Sequence, residues 1–266
     1  MSDSVRPGTN VMPTLPNSAR IWNYCQGGQD NYQVDRDLSD VMLNAFPEIK
    51  TAAMESRAFQ ERVADYVVRE GGIRQLLDLG TGIPTASATH GMAQKAAPDS
   101  RVVYVDNDPV VLNHASSLRS SPEGKIHYLQ QDFRDVDAVL EGVSKTLNLD
   151  EPIFLLVLST LGHFDPTEAA DLVAAYTSRF VSGSYLAVCD TIETPGVLKM
   201  QEHYVAADPE GAYLARTPDQ IAACARGLDL LPPGLRPLPE LLVPAGEAVP
   251  DGAADCVQWG FVAVKP

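Results

Sequence analysis

Short apolar runs alternate with longer amphipathic stretches through the middle of this chain. The runs at 75–78, 101–106, 126–129, 153–158 and 184–189 read as strands buried on both faces, and the stretches near 84–95, 109–117, 136–146 and 166–180 carry helical spacing. Ahead of the first strand, 35–46 reads as a short helix broken at Pro47. The longer stretch 51–70 sets Phe59, Val63, Tyr66 and Val67 on one face and stops at Gly71-Gly72. The helix near 166–180 opens on Asp165-Pro166-Thr167-Glu168, an N-cap with proline at the first helical position. After the fifth strand, 195–207 reads as an inserted helix. Thr217-Pro218-Asp219-Gln220 opens another, closed by Gly227. The runs 228–231 and 257–264 pair antiparallel as the last two strands, across a Pro- and Gly-rich loop over 232–252. Alternating strands and helices make a parallel sheet. The expected fold is therefore α/β, a Rossmann-like, mostly parallel seven-stranded sheet with helices on both faces. The chain divides into a flexible N-terminus (1–17), a helical cap or lid (18–72) and a core (73–266).

The first strand carries the most informative chemistry. Leu76-Leu77-Asp78-Leu79-Gly80-Thr81-Gly82 runs from apolar strand through an acid into a two-glycine turn ahead of a helix. Such a turn lets backbone lie against a ligand, and the helix offers unpaired N–H groups. The second strand ends in Asp106-Asn107-Asp108, where a carboxylate can accept both hydroxyls of a ribose; Asp106 is the assigned ligand, while Asp108 suits the N-cap of the helix from Pro109. Asn107 falls near an adenine edge. The third strand leads into Asp132-Phe133, an acceptor for an adenine amino group with a ring beside it.

These features discriminate between cofactors. A dinucleotide turn wants a third glycine where Thr85 stands, and Asp78 is awkward beside a pyrophosphate. An acid there suits a ligand with an ammonium and no phosphate, so S-adenosylmethionine is expected, with S-adenosylhomocysteine as product.

The chain resembles the class I S-adenosylmethionine-dependent methyltransferases. More narrowly, it resembles a bacterial S-adenosyl methyltransferase family first catalogued as a domain of unknown function. The resemblance covers nearly the whole chain. It rests on Ser18-Ala19-Arg20-Ile21-Trp22-Asn23-Tyr24, Gly27-Gly28-Gln29-Asp30-Asn31-Tyr32, Asp35, Arg57-Ala58-Phe59, the glycine turn, Val103-Tyr104-Val105-Asp106-Asn107-Asp108-Pro109 and Trp259-Gly260. It implies an S-adenosylmethionine-dependent methyltransferase with a Rossmann-like fold and leaves the acceptor open.

The polar, glycine-rich N-terminal motif reads as a lid over the cofactor, including Arg20. Tyr24 or Tyr32 covers the sulfonium with a ring face, and Arg57 forks onto the cofactor carboxylate. At the end of the fourth strand, Ser159 and Thr160 are candidates to contact cofactor or acceptor. His163 is the candidate general base, its ordinary pKa of ~6.5 suiting proton removal near neutrality.

Composition narrows the partners. Lys plus Arg is 20 against 35 Asp plus Glu, a net charge of −15 that repels nucleic-acid phosphates and anionic lipid. The expected acceptor is a small molecule, O- or N-methylated, with secondary metabolism as a setting. Cys25, Cys189, Cys224 and Cys256 are scattered without metal-ligand spacing and read as reduced thiols of a cytoplasmic protein. No run approaches a membrane span, and oligomeric state is left open. Two alternatives stand beside this reading: a protein that binds the cofactor without methyl transfer, and a nicotinamide-dependent oxidoreductase.

Overall fold

The computed structural model describes residues 14–83, 89–108, 111, 125–209, 211, 213–243 and 246–266. The helix expected over 109–117 and the start of the one expected over 84–95 lie outside the described residues, as does most of the N-terminus expected to be flexible. Three helices precede the sheet: α1 (Ser18–Cys25), α2 (Gln33–Ala45) and α3 (Ile49–Arg69). The polar mix over 18–33 hides α1 from a periodicity reading. Its N-cap Asn17 is the local signal, accepting from the backbone N–H groups of Ala19 and Arg20 at 2.9 and 3.3 Å.

The core strands are β1 (Gln75–Leu79), β2 (Arg101–Asp106), β3 (Ile126–Gln130), β4 (Phe154–Leu158) and β5 (Tyr185–Thr191). They are parallel, in the order β3-β2-β1-β4-β5. Helices α4 (Thr89–Ala96), α5 (Val136–Val143) and α6 (Pro166–Ser178) fall between them; α7 (Pro195–Ala207) and α8 (Pro218–Ala222) follow β5. Antiparallel β8 (Gln258–Val264) lies against β5 and carries both β6 (Asp229–Leu230) and β7 (Arg236–Pro237) on its outer side. The sheet therefore has eight strands where seven were expected. The chain leaves β8 at Pro232 and Pro233, which have no N–H to give a ladder, and rejoins it at Arg236 inside the segment expected to be loop.

Side chains alternate across the sheet and make two cores. Leu77, Val103, Val105, Leu155 and Val188 face α5 and α6. Leu76, Val102, Tyr104, Phe154 and Leu156 face α3 through Phe59, Val63 and Val67. A third apolar cluster joins α1 and α2 to α7, above the tips of β5 and β8. Each fully buried Leu, Val or Phe contributes about 1.5–3 kcal/mol relative to exposure. All four cysteines are free and buried. Burial pushes the thiols of Cys189 and Cys224 up to about 12 and that of Cys25 to about 11. No helix among the described residues is long and apolar enough to cross a membrane.

Candidate active site

The parallel strands end on one side of the sheet, where an open α/β fold places its ligand crevice. At the tip of β1 the chain bends through Gly80 (φ +67°) and Gly82 (φ +63°), a region closed to most side chains. A Cβ on Gly80 would stand 2.3 Å from Thr160 Oγ1, so the β1 turn can sit against the β4 tip only as glycine. Over Gly82 there is room: its nearest neighbour would be the Ala19 Cβ of α1, at 3.7 Å. The N–H of Gly80 donates to Val105 O at 2.9 Å and that of Gly82 to Asp106 Oδ2 at 2.9 Å. Asp106 Oδ1 accepts from Asp108 N, also at 2.9 Å. The acid at the β2 tip and the glycine turn are thus one hydrogen-bonded unit. Burial raises the Asp106 pKa, opposed by those N–H donors.

Asp78 shares its face of β1 with Leu76, beneath α3 and α4. Thr89 Oγ1 donates to its Oδ2 at 2.8 Å and Gln60 Nε2 at 3.3 Å. Arg57 Nη1 in turn donates to Gln60 Oε1 at 2.7 Å. Burial pushes the Asp78 carboxyl up to about 6, against the hydrogen bond from Thr89 and the charge of Arg57. Gln60 went unremarked in the sequence; an amide on a helix face carries no motif.

At the β3 tip, Asp132 pairs with Arg134, a contact that lowers its pKa. Phe133 meets Phe164 edge-on at 5.2 Å. After β4 comes Ser159, at φ +53°, an uncommon conformation for a side-chain-bearing residue. Its hydroxyl lies 3.1 Å from Ser56 Oγ and 3.2 Å from Gln258 Oε1. His163 ends a 3-10 turn, Leu161–His163. Its Nε2 shares a hydrogen bond with Ser18 Oγ of α1 at 3.0 Å, and its ring meets Tyr213 edge-on at 5.3 Å. Buried Arg216 donates through Nη2 to the carbonyls of Leu161 and Phe164, on either side of His163, with Nε 3.7 Å from Asp190. Neither partner was read from the sequence, because their pairing depends on the β5 tip meeting the segment after α7.

One cavity of about 420 Å³ joins these parts. Gly80, Thr81 and Gly82, with Asp78 and Arg57, line it near β1; Asp106, Asn107, Asp132 and Phe133 line it near β2 and β3. Ser159 and His163 line it beyond β4. Arg20, Tyr24 and Tyr32, expected in the lid, are not among its lining, nor are Gly27, Gly28 and Asn31 of the same motif. Arg20 is buried against Asp35 at 2.7 Å, with its guanidinium carbon 5.4 Å from the Tyr32 ring centroid. Asp35 also accepts from Tyr32 N at 2.8 Å and Asn17 N at 3.0 Å. The Tyr24 hydroxyl points outward to Asp40 at 2.9 Å. These residues join α1 to α2, and Arg20 Nη1 also lies 3.8 Å from Asp108 Oδ2 at the β2 tip; their own side chains do not line the cavity. Among the described residues no cluster of His, Cys, Asp and Glu could hold a metal ion.

An α/β sheet with acids at three successive strand tips, a glycine turn between them and a crevice above defines a nucleoside-binding enzyme of the S-adenosylmethionine class. The chain belongs to the S-adenosyl methyltransferase family, whose sequence profile matches residues 6–266. It is an S-adenosylmethionine-dependent methyltransferase, which sets aside the oxidoreductase alternative. Among solved structures it is similar to a DUF574-family protein of Streptomyces avermitilis, at 33% identity and a TM-score of 0.88 over 95% of this chain and 98% of that one. It is equally similar in fold to a candidate methyltransferase of Thermobifida fusca, at 30% identity and a TM-score of 0.88 over 99% of both. The magnesium protoporphyrin IX methyltransferase of Synechocystis, solved with bound S-adenosylmethionine, shares the fold at 13% identity and a TM-score of 0.52, covering 92% of this chain and 90% of that one. No curated protein matches the chain.

Proposed function

We propose that the cofactor lies from the tip of β3 to the tip of β1 and that the chain O- or N-methylates a small molecule bound beyond β4. The observation that supports this is the single cavity connecting the acidic strand tips to His163. Asp106, with lone pairs left on both oxygens, takes the ribose hydroxyls. Asn107, Asp132 and Phe133 take the adenine. Gly80, Thr81 and Gly82 lie under the methionine portion. Asp78 faces its ammonium and Arg57 its carboxylate, each charge meeting its opposite. The bound cofactor supplies a methyl group on a sulfonium, already activated for displacement. The chain's part is to align the acceptor and exclude water, with α1 and α2 as a cap. For a hydroxyl acceptor, His163 Nε2 takes the proton at the position where Ser18 Oγ stands. The surface charge of −15 fits a small molecule in place of nucleic acid. Four buried thiols fit a cytoplasmic setting.

Calorimetric titration with S-adenosylmethionine and S-adenosylhomocysteine tests the site. Production of S-adenosylhomocysteine from a pool of small phenols and amines tests transfer. His163→Ala should slow turnover by about a hundredfold while leaving cofactor affinity nearly unchanged; an unchanged rate at every pH would make His163 structural.

Asp78 adds a pH dependence whose sign is fixed. Its folded pKa of about 6 stands above the ordinary 3.8, so in the free protein its contribution to stability is present below about 4 and lost as pH rises through about 6. A bound ammonium favours the ionised carboxylate, which reverses the sense for ligand affinity. S-adenosylmethionine affinity should therefore fall as pH drops below about 6, by up to about tenfold per pH unit. Asp78→Asn should flatten that profile in calorimetry, and a wild-type affinity independent of pH would remove Asp78 from the ammonium.

A further inference from the structure

The cavity changes character along its length. Near β1, β2 and β3 its lining is charged: Arg57, Asp78, Asp106, Asp108, Asp132 and Arg134. Beyond β4 and β5 the wall is Trp22 of α1, Met42 of α2, Phe46 and Ile49 at the α2–α3 corner, and Val197 and Met200 of α7. These belong to the third apolar cluster, which joins α1 and α2 to α7 and is separate from the two sheet cores. Two glycines behind that wall let two of its rings come close to backbone. A Cβ on Gly196 would stand 2.7 Å from Phe46 Cδ2, and one on Gly162 would stand 2.6 Å from the Tyr213 ring. Phe46 and Tyr213 therefore come close enough to backbone that only glycine fits beneath them.

Among the described lining residues on this side, the one carboxylate is Asp208 at the α7 C-cap, already accepting from Gly211 N at 3.0 Å. Among the described residues no lysine or arginine lines it there. A charged acceptor would lose its water without gaining an opposite charge, a penalty that burial makes severe. Of the amides that also line this side, Gln26 donates to Ala53 O at 3.1 Å, Asn23 accepts from Asp30 N at 3.0 Å and Gln201 accepts from Ala215 N at 2.8 Å, while the hydroxyls of Ser56, Ser159 and Thr191 and the His163 ring line the cavity at the strand tips. The buried hydroxyl of Tyr213 has no hydrogen-bond partner among the described residues, so one more polar group beside His163 is unused.

We propose that this half of the cavity is a chamber for an uncharged, largely hydrocarbon acceptor, ring-sized in cross-section, that presents one hydroxyl to the Ser159–His163 end. This rests on the cofactor occupying the charged half, as proposed above. It narrows the acceptor to a neutral aryl or alicyclic alcohol and sets cationic amines aside.

The test uses full-length protein saturated with S-adenosylhomocysteine and three probes matched in size: 2-naphthol, 2-naphthoate and protonated 2-(aminomethyl)naphthalene. Calorimetry at neutral pH should show 2-naphthol binding at least about tenfold more tightly than either charged probe. Met200→Lys, which sets a cation in the wall, should invert the order of 2-naphthol and 2-naphthoate. Met200→Gln should weaken 2-naphthol without favouring naphthoate, keeping the comparison open if the lysine variant does not fold. Equal or tighter binding of a charged probe to the wild type, or no binding of 2-naphthol, would overturn the chamber while the methyltransferase reading stood. Failure of S-adenosylhomocysteine itself to bind would instead overturn the cofactor placement and the chamber with it.

Discussion

Replacing Arg216 with methionine is expected to destabilise the protein by about 3–5 kcal/mol, because it strands a buried carboxylate. The side chains of Arg216 and Asp190 are 4% and 2% exposed, 3.7 Å apart. Burial already raises the Asp190 pKa, and the Arg216 charge is what opposes that rise. Without the guanidinium, Asp190 holds its proton more firmly in the folded state. The unfolded chain releases that proton near the ordinary carboxylate value. The folded pKa is thus the higher one, and the deficit of the variant grows as pH rises. The same substitution frees the carbonyls of Leu161 and Phe164, which bracket His163. Turnover should therefore fall further than the loss of folded protein explains. Urea denaturation measures the first effect. Adding Asp190→Leu should recover much of the stability but not the activity, since neither carbonyl regains the guanidinium. A single variant that loses less than about 1 kcal/mol would show that the pair does not hold this corner.

Asp106→Ala should weaken S-adenosylmethionine binding by roughly tenfold or more, the value of losing a charge-assisted hydrogen-bond pair worth ~1.5–3 kcal/mol. The structure adds a second route to that loss. Asp106 holds Gly82 N and Asp108 N at 2.9 Å each, so its removal also slackens the turn on which the cofactor is proposed to rest. Asp106→Asn separates the two routes, because its one carbonyl oxygen can keep the Gly82 contact while the negative charge is gone. Calorimetry with adenosine and with S-adenosylmethionine reads both. If Asp106→Ala binds S-adenosylmethionine as the wild type does, the ribose assignment is lost.

β1, β2, β4 and β5 were legible because each is an apolar run buried on both faces and bounded by charge, glycine or proline; β3, at the sheet edge, is half-buried and was legible from its place in the strand–helix alternation. Asp78, Asp106 and Asp132 were legible as strand-tip acids for the same reason: a parallel sheet puts every such tip on one side. Helix α6 announced itself through Asp165, whose carboxylate accepts from Thr167 N at 2.9 Å. What escaped was determined by contacts distant in sequence. Arg20 and Tyr32 look like ligand groups in a polar segment, and only the fold shows Arg20 spent on Asp35, 15 residues on. Met42 and Met200 carry no motif in the sequence. Their position on a cavity wall depends on α2 packing against α7, an element more than 150 residues later in the chain. Strand β7 is two residues long, too short for alternation to register.

The thiols have a practical bearing on all of this. With Cys25, Cys189, Cys224 and Cys256 buried and their pKa values raised, electrophilic reagents meet no reactive sulfur on the native surface. A cysteine introduced at Leu214, 41% exposed and adjacent to Tyr213, would then take up a fluorophore alone. Such a dye would sit one residue from the edge of the chamber, and its emission would follow ligand entry in real time.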